Sequence, residues 1–588
     1  MKKLTIAVMA IATIVLVGCK DSEPNMPDNP FGDYVVYGAI YTAEQAPDGR
    51  YPLAEALVVK GDKFIYVGSK AGAQPYISRE TKIMDYTNHG MIMPTCTNGH
   101  AHYMLGYALG SFGAVISDQA DVTTFMQVDV PKAVAAAREH NYPTILGNGW
   151  NYFIFKEAMP TRQQLDLICN DIPMLFADNE GHKALVNTIA LVKAGIMDAE
   201  GHVLKRGKDI RGGEIVMGAD DTPSGLLLEQ AGTFVREALD FESIYTAEMA
   251  KSNILQMQKD LWAKGYTIYM DGWSTYFFNE SFYQAAQQLD QNHDLKLILG
   301  LSYEIESWMN IDTALTKAND ARKYTSQHVR PQWVKLFIDG TVEGGTGYSQ
   351  IPYPDGHQGL VNWSKKEVTT ITKMANDANL SMHVHTMGDS AVALAVDAFV
   401  DGGQDDKRNT IVHVRNIMPS TLQKMAAHQL YATSGMLWHH LHYMAPTFLW
   451  LLGIVPEGYE SKSYPMKAFF DYGINLTSHS DYPALSGSPD DPFGIMEIAL
   501  TGVQDAKTEY TWWQEELLTR EQALQALTLN GAKQVFMEQE RGSIRKDKYA
   551  DFLVVDQNLL TCPVKSIHNT KVLNTFFEGR PVYSVDVL

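Results

Sequence analysis

Two histidines, His100 and His102, stand two residues apart at the end of an apolar, extended-looking run. On a β-strand, residues i and i+2 project from the same face, so both imidazoles can reach one metal ion. A His-x-His pair taken alone is also common in strands that hold no metal. The pair therefore predicts a metal site only if the ends of other strands supply further ligands.

Other side chains that can bind a metal or transfer a proton stand near the ends of later strand-like runs. Lys335 lies within one such run, and His385, His413 and Asp481 each stand at the end of another. Imidazole and carboxylate groups suit zinc and similar divalent ions. Their order along the chain predicts one site built from many strands.

The segments that must position these residues alternate between apolar strands and helices. Between residues 94 and 535, strand-like runs such as 144–147, 174–177 and 267–270 are separated by helical stretches such as 247–263. This alternation predicts an α/β fold with a parallel sheet, and the number of units fits a (β/α)8 TIM-like barrel. An open doubly wound sheet is the alternative, although no Gly-x-Gly-x-x-Gly follows a strand. In a barrel, catalytic groups lie where the strands end.

Both ends of the chain have a different character. Residues 33–93 and 536–588 contain short strand-like runs, so we expect a small β-sandwich domain assembled from both termini. At the start, two lysines and an apolar run precede Leu-Val-Gly-Cys, which resembles a bacterial lipobox. We therefore expect a lipoprotein signal peptide at 1–19 and a flexible linker at 20–32. Lipidation of Cys19 would anchor the chain in the bacterial cell envelope, at its periplasmic face or on the cell surface.

Charge and cysteine content exclude some classes of function. The 588 residues carry a formal net charge of −20, from 68 acidic and 48 basic residues. Nucleic acid is not an expected partner, because binding phosphates requires concentrated Lys and Arg. The remaining cysteines, Cys96, Cys169 and Cys562, are widely spaced and odd in number, so neither a disulfide framework nor a thiolate metal site is expected.

Taken in order, these motifs resemble those of the metal-dependent amidohydrolases, specifically the YtcJ-like (amidohydrolase-3) branch that includes N-substituted formamide deformylases. The resemblance covers the chain from about residue 33 to its end. The motifs that carry it lie at residues 94–102, 334–340, 385–389, 413 and 479–483, with further matches at 147–150, 160–166, 180–182, 213–229 and 548–556.

The resemblance implies a hydrolase in which a divalent ion, expected to be Zn²⁺, activates water, and Asp481 acts as ligand and general base. Lys335 corresponds to a lysine that is often carbamylated in relatives, where it bridges two metals; an ordinary lysine paired with an acid is the alternative. One ion or two, and Fe²⁺ or Mn²⁺ in place of Zn²⁺, stay open. The implied metal ligands are His100, His102, Lys335, His385, His413 and Asp481.

Substrate contacts are also implied by the resemblance. His182 matches a histidine that contacts substrate or stabilises a developing oxyanion, although a plain backbone hydrogen bond fits a loop histidine as well. Trp150 and Glu180 are expected to bind substrate. His439, in an aromatic segment after the seventh strand, is expected to form a wall of the substrate site, with packing on a long loop as the alternative.

Some positions depart from the family's pattern. Asn98 replaces an Asp on the strand face of His100, and a neutral amide orients a ligand less strongly than a carboxylate. His479 replaces a Gly two residues before Asp481, where its ring can intrude on the metal site. His383 does not occupy a ligand position of the family and is predicted to support the site instead.

The sequence thus predicts an amidohydrolase that cleaves a non-peptide C–N bond in a small amide-like molecule. Ester hydrolysis or deamination at the same metal site is an alternative. Another is a lipid-anchored surface protein that keeps the barrel but only binds a ligand, although the complete set of ligand positions argues against it. Substrate identity is not predicted because specificity lies in the loops, and assembly as a homodimer stays open.

Overall fold

The computed structural model describes residues 31–585 except 118, 157, 242, 275–278, 440–452, 454, 456–462, 484–489 and 504–513. The signal peptide, Cys19 and most of the linker lie outside the described residues. Within the part of the chain that is described, we find no helix with both the length and the apolar character needed to cross a membrane.

Strands are numbered here in chain order over the described residues. They are β1 Tyr34–Tyr41, β2 Leu53–Lys60, β3 Lys63–Gly68, β4 Lys82–Asp85, β5 Met91–Pro94, β6 Cys96–Ala101, β7 Ala114–Val115, β8 Ile145–Trp150, β9 Met174–Asp178, β10 Lys183–Val186, β11 Gly213–Met217, β12 Pro223–Glu229, β13 Tyr266–Asp271, β14 Ile298–Glu304, β15 Val329–Phe337, β16 Ser381–Thr386, β17 Thr410–His413, β18 Tyr431–Ser434, β19 Asn475–Ser478, β20 Phe552–Val555, β21 Val572–Phe577 and β22 Arg580–Ser584.

The longer helices lie mainly between the strands of the central region. They are Tyr103–Phe112, Val130–His140, Arg162–Ile168, Gln230–Glu237, Ala247–Ala263, Asn279–Gln291, Ile311–Asp320, Lys365–Asp377, Asp389–Gly402, Pro419–Ala427, Pro492–Thr501 and Arg520–Leu527.

A nearly closed barrel of eight parallel strands forms the centre of the molecule. Its order is β6-β13-β14-β15-β16-β17-β18-β19, and every neighbouring pair is parallel. Where β6 ends and just past the end of β19, the Asp481 amide donates to the His100 carbonyl at 3.1 Å, and the His102 amide donates to the Tyr482 carbonyl at 2.6 Å. These bonds join the first and last strands at the carboxyl end of the barrel. The predicted parallel barrel is confirmed.

A second sheet, with the order β11-β12-β10-β9-β8-β7, lies in the chain between the first and second barrel strands. The runs 144–147 and 174–177, predicted as barrel strands, belong to it as parts of β8 and β9, so that prediction is wrong. Short apolar runs look alike in a barrel and in a side sheet, since both kinds of strand are buried on two faces.

The two ends of the chain pair with each other in a third sheet. Its order is β22-β21-β20-β5-β1-β2-β3, with β4 paired to β1. β20 runs antiparallel to β5, which leads after one residue into the first barrel strand. Whether this sheet forms a sandwich stays a prediction.

A buried ionic network connects this sheet to the end of the barrel opposite the strand exits. The His328 ring lies 2.5 Å from Oδ1 of Asp290 through Nδ1, and 2.9 Å from Oε1 of Glu578 through Nε2. Arg541, which is 1% exposed, pairs with both Glu578 and Asp551. The terminal strands are therefore fixed to the barrel by charge as well as by packing.

Candidate metal centre

The six residues implied as metal ligands all line one cavity at the carboxyl ends of the barrel strands. Asp481 is central among them: its Oδ1 lies 3.3 Å from Nε2 of His100 and 3.4 Å from Nε2 of His102. Its Oδ2 lies 4.0 Å from Nδ1 of His413. One ligand atom each from His100, His413 and Asp481 lie within 4.8 Å of one another, a spacing that can hold one cation.

His385 and Lys335 lie to one side of this group. The His385 ring centroid is 4.6 Å from that of His413, and its Nε2 lies 3.3 Å from the carbonyl oxygen of Gly340. The Lys335 ammonium lies 4.4 Å from the centroid of the Phe337 ring. Both side chains are buried, with His385 only 3% exposed, and they extend the polar floor of the cavity along β15 and β16.

Unpartnered polar atoms test whether a metal fits here. Among the described residues, five of these side chains have a buried atom with no hydrogen-bond partner, an arrangement that costs free energy unless something satisfies the group. Nitrogen and carboxylate donors at this spacing are the ligand set that zinc and similar ions prefer. The residues present therefore fit a divalent cation. The unpartnered atoms are Nε2 of His100, Nδ1 of His102, Nζ of Lys335, Nδ1 of His413 and Oδ1 of Asp481.

Burial sets the charge state of these groups. It lowers the pKa of His100, His385 and His413 well below the usual value for histidine, so the three imidazoles are neutral at pH 7. Neutral imidazole is the form that binds metal. Burial also lowers the pKa of Lys335 to about 8, despite the opposing effect of the nearby Asp481 carboxylate. A fraction of this lysine is thus uncharged near neutral pH.

Asn98, the departure from the family's pattern in the first motif, connects the first strand to the segment after the last one. Its Nδ2 donates to Oγ of Ser480 at 2.7 Å, and its Oδ1 accepts from the Ser480 amide at 3.2 Å. An amide can do both, whereas a carboxylate can only accept. Asn98 therefore positions the segment that carries Asp481, and among the described residues its amide makes no hydrogen bond to the ring of His100.

His479 is buried beside the centre and does not line the cavity. Its ring centroid lies 5.5 Å from that of His100, 5.1 Å from that of His413 and 5.1 Å from that of Trp438. Burial lowers its pKa to about 4, so it is neutral. It fills the space that a glycine would leave behind the predicted metal ligands.

His182 faces the centre from the inserted sheet and forms a pair with Glu229. Its Nδ1 lies 2.7 Å from Oε2 of Glu229, and its ring centroid lies 5.2 Å from that of His385. Burial alone would lower the pKa of His182, but the charge and hydrogen bond of Glu229 outweigh burial and raise it. The His182 backbone amide also donates to Oδ1 of Asp178. Glu229 therefore favours the protonated form of this histidine, in which the ring can donate a hydrogen bond into the cavity.

Of the residues predicted to contact substrate, some line the cavity and others are buried behind its wall. Glu180 lines the cavity and accepts a hydrogen bond from Thr341 at 3.1 Å. Trp150 does not line it: this side chain stacks on Phe155 and donates to the Phe176 carbonyl at 2.8 Å within a hydrophobic core.

A bulge explains the position of Trp150. The register of β8 shifts between Asn148 and Trp150, with Gly149 at φ +122°, so the two residues do not share a face. Asn148 lines the cavity instead. His439 is fully buried behind the wall, with Nδ1 3.2 Å from the Tyr464 carbonyl oxygen.

Sequence reasoning predicted a wall from the aromatic segment that contains Trp438 and His439, but it missed the other aromatic residues of the cavity. Trp273 follows β13, Phe337 ends β15, and Trp438 and Tyr464 come from the segment after β18. Position at the end of a barrel strand, or two residues past it, is the signal that could have identified Phe337 and Trp273. Nothing in the sequence identifies Tyr464, which reaches the cavity from beyond residues that are not described.

An eight-stranded parallel barrel with imidazoles and a carboxylate converging at its strand exits defines a metal-dependent hydrolase. Residues 88–583 match the model of the Amidohydrolase family (Amidohydro_3), and the chain belongs to this family.

Similar proteins are known at low identity. The chain is 24% identical over 556 residues to the putative amidohydrolase YtcJ of Bacillus subtilis (strain 168), an alignment that covers 93% of this chain and 98% of that protein. It is 23% identical over 559 residues to the N-substituted formamide deformylase of Arthrobacter pascens, covering 90% and 95%. The crystal structure of an uncharacterized metal-dependent hydrolase from Pyrococcus horikoshii OT3 superposes with a TM-score of 0.65 at 18% identity, covering 90% of this chain and 99% of that chain.

Proposed function

We propose that this protein hydrolyses a C–N bond in a small amide-like substrate with an apolar substituent, using Zn²⁺ held by His100, His102, His413 and Asp481, with His385 nearby. The observation that carries the proposal is the convergence of two unpartnered, buried imidazole nitrogens, Nε2 of His100 and Nδ1 of His413, on the Asp481 carboxylate at the floor of the cavity. A bound divalent ion supplies Lewis-acid polarisation of the substrate carbonyl and lowers the pKa of water.

Asp481 and His182 have complementary roles in the proposal. Oδ1 of Asp481 accepts the proton of the attacking water and later delivers it to the leaving nitrogen. His182, whose protonated form Glu229 favours, donates a hydrogen bond to the carbonyl oxygen from the other wall and stabilises the negative charge that develops there. Both groups line the cavity, so a substrate between them is within reach of each.

The apolar wall supports the choice of substrate class. Trp273, Phe337, Trp438 and Tyr464 offer aromatic surface to the part of the substrate that does not react. The name of one relative, an N-substituted formamide deformylase, is consistent with an amide that carries such a substituent. We therefore propose N-acylated or N-formylated apolar amines as the compounds to assay first.

Lys335 completes the proposed centre. Its lowered pKa leaves part of the amine unprotonated near neutral pH, and an unprotonated amine adds to CO₂ to give a carbamate with release of one proton. The carbamate would replace an unpartnered buried nitrogen with a ligand for a second ion. Mass spectrometry of the intact holoenzyme under CO₂ would detect this adduct.

The experiment that tests the proposed function is Asp481→Asn. We expect the variant to retain its metal, measured by elemental mass spectrometry, and to lose turnover of N-formylated aromatic amines by about 10²- to 10⁴-fold. Asp401→Asn, at a half-exposed helical aspartate paired with Lys365, is the matched control and should behave as wild type. Near-full activity of Asp481→Asn, or a wild-type protein that takes up no divalent metal, would overturn the proposal.

A further inference from the structure

The orientation of His100 depends on a second histidine below the metal centre. Nδ1 of His100 lies 2.7 Å from Nε2 of His383, and both side chains are fully buried. The rings of His102 and His413 approach His100 only edge-on, with centroids 4.8 and 5.0 Å away. Among the described residues, the bond to His383 is the only hydrogen bond that the His100 ring makes.

The position of His383 follows from the strand register. It lies on β16 opposite Lys335 of β15, two residues before His385 and on the same strand face. His383 thus lies one layer deeper in the barrel than the residue that reaches the cavity. Asn98 cannot take over its role, because both functional groups of that amide are bonded to Ser480.

We propose that His383 is a positioning residue that holds the proton of His100 on Nδ1 and so directs the Nε2 lone pair towards the metal; this inference rests on the proposed function. A neutral imidazole carries one N–H. If His100 donates from Nδ1, its Nε2 is free to coordinate beside Asp481. If His383 were the donor, the proton of His100 would lie on Nε2 and would block coordination.

The surroundings of His100 Nε2 support this direction of the hydrogen bond. Nδ1 of His383 has no partner among the described residues, so it is unsatisfied whichever ring donates and favours neither direction. Nε2 of His100 has no hydrogen-bond partner among the described residues, and it lies 3.3 Å from Oδ1 of the Asp481 carboxylate. A lone pair facing a carboxylate is repulsive unless a cation lies between them. Metal-binding imidazoles commonly donate their second N–H in this way, and losing the acceptor weakens metal binding by about 10- to 100-fold.

The test compares Zn²⁺ affinity, measured with a competing chromogenic chelator, between the full-length wild type and two variants at position 383. His383→Met fills a similar volume with a poor acceptor, and we expect its affinity to fall by about 10- to 100-fold. His383→Gln offers an amide oxygen to the His100 N–H, and we expect it to restore most of the affinity. A merely structural role would not produce this difference between Met and Gln.

Each outcome of this comparison either supports or overturns the proposed role of His383. Wild-type affinity in His383→Met, or equal loss in the Met and Gln variants, would overturn the inference. The melting temperatures of the metal-free proteins show whether each variant is folded, and His383→Leu replaces the Met variant if that one does not fold. A wild-type protein that binds no divalent cation would overturn the proposed function, whereas equally tight binding by wild type and His383→Met would overturn this inference alone.

Discussion

Replacing Gly272 with alanine should displace His100, a proposed metal ligand, without altering any polar group. Gly272 follows β13 and lies directly against the ring of His100. A Cβ at this position would lie 2.0 Å from Cε1, 2.3 Å from Nδ1 and 2.8 Å from Nε2 of that ring. Non-bonded carbon atoms rest about 3.5–4.0 Å apart, so the ring must move by roughly 1.5 Å or more.

The surroundings leave the ring little room for this movement. The Gly272 amide donates to the Ala101 carbonyl at 3.0 Å, which fixes the backbone, and Nδ1 of the ring is bonded to His383 at 2.7 Å, so moving the ring also disrupts that bond. Metal–ligand distances vary by only about 0.2 Å in well-formed sites, so a shift of this size removes His100 as a ligand. Overpacking of a tight core also lowers the free energy of unfolding by about 1–3 kcal/mol.

The metal content of wild type and variant is measured after dialysis against a weak chelator. The Zn²⁺ affinity of each protein is then measured. We expect Gly272→Ala to bind Zn²⁺ at least 10-fold more weakly than wild type. Gly110→Ala is the matched control, because that glycine lies in helix Tyr103–Phe112 and its added methyl group would meet nothing within 4 Å. The control should keep its metal and be stabilised by up to about 1 kcal/mol. Wild-type metal affinity in Gly272→Ala would refute the assignment of His100 as a ligand.

Two further predictions concern stability. Burial alone would lower the pKa of His328, but hydrogen bonds to Asp290 and Glu578 outweigh burial and raise it. Protonation of His328 therefore stabilises the folded state. This contribution is complete below about pH 6.5 and declines as the pH rises through the folded-state pKa. The loss of melting temperature in His328→Gln should therefore be larger at pH 6 than at pH 9, and an equal loss at both would contradict this. Glu343 and Arg415 form a fully buried ion pair, so Glu343→Leu should reduce the free energy of unfolding in urea by about 3–5 kcal/mol. Adding Arg415→Met should recover most of that loss; no recovery would show that the pair is not the cause.

The barrel was predictable because its strands alternate with helices and because chemistry-bearing residues recur where those strands end. The same reasoning assigned runs 144–147 and 174–177 to the wrong sheet. An apolar run of four residues indicates that a strand is buried, but it does not indicate which strand lies beside it. Trp150 illustrates another limit. Residues 148 and 150 should share a strand face, but the bulge at Gly149 separates them.

The metal centre shows what sequence spacing can and cannot supply. The pattern at β16 indicated that His383 and His385 share a face, and therefore that His383 points into the barrel. Its partner was not predictable, because His100 is 283 residues away along the chain. The role of Asn98 was not predictable for the same reason: its bond to Ser480 joins the first barrel strand to the segment that follows the last one, far away along the chain.

The antiparallel pairing of β5 with β20 has a consequence for how the chain is made. Roughly 460 residues separate the two strands, so at typical rates of synthesis β5 is made about 20 to 90 s before its partner. During that time the fully buried Met91, Ile92 and Met93 lie at an open sheet edge, which is a site for pairing with other chains. Newly made chains should therefore depend on chaperones until the last strands are added, whereas the finished protein conceals this edge completely.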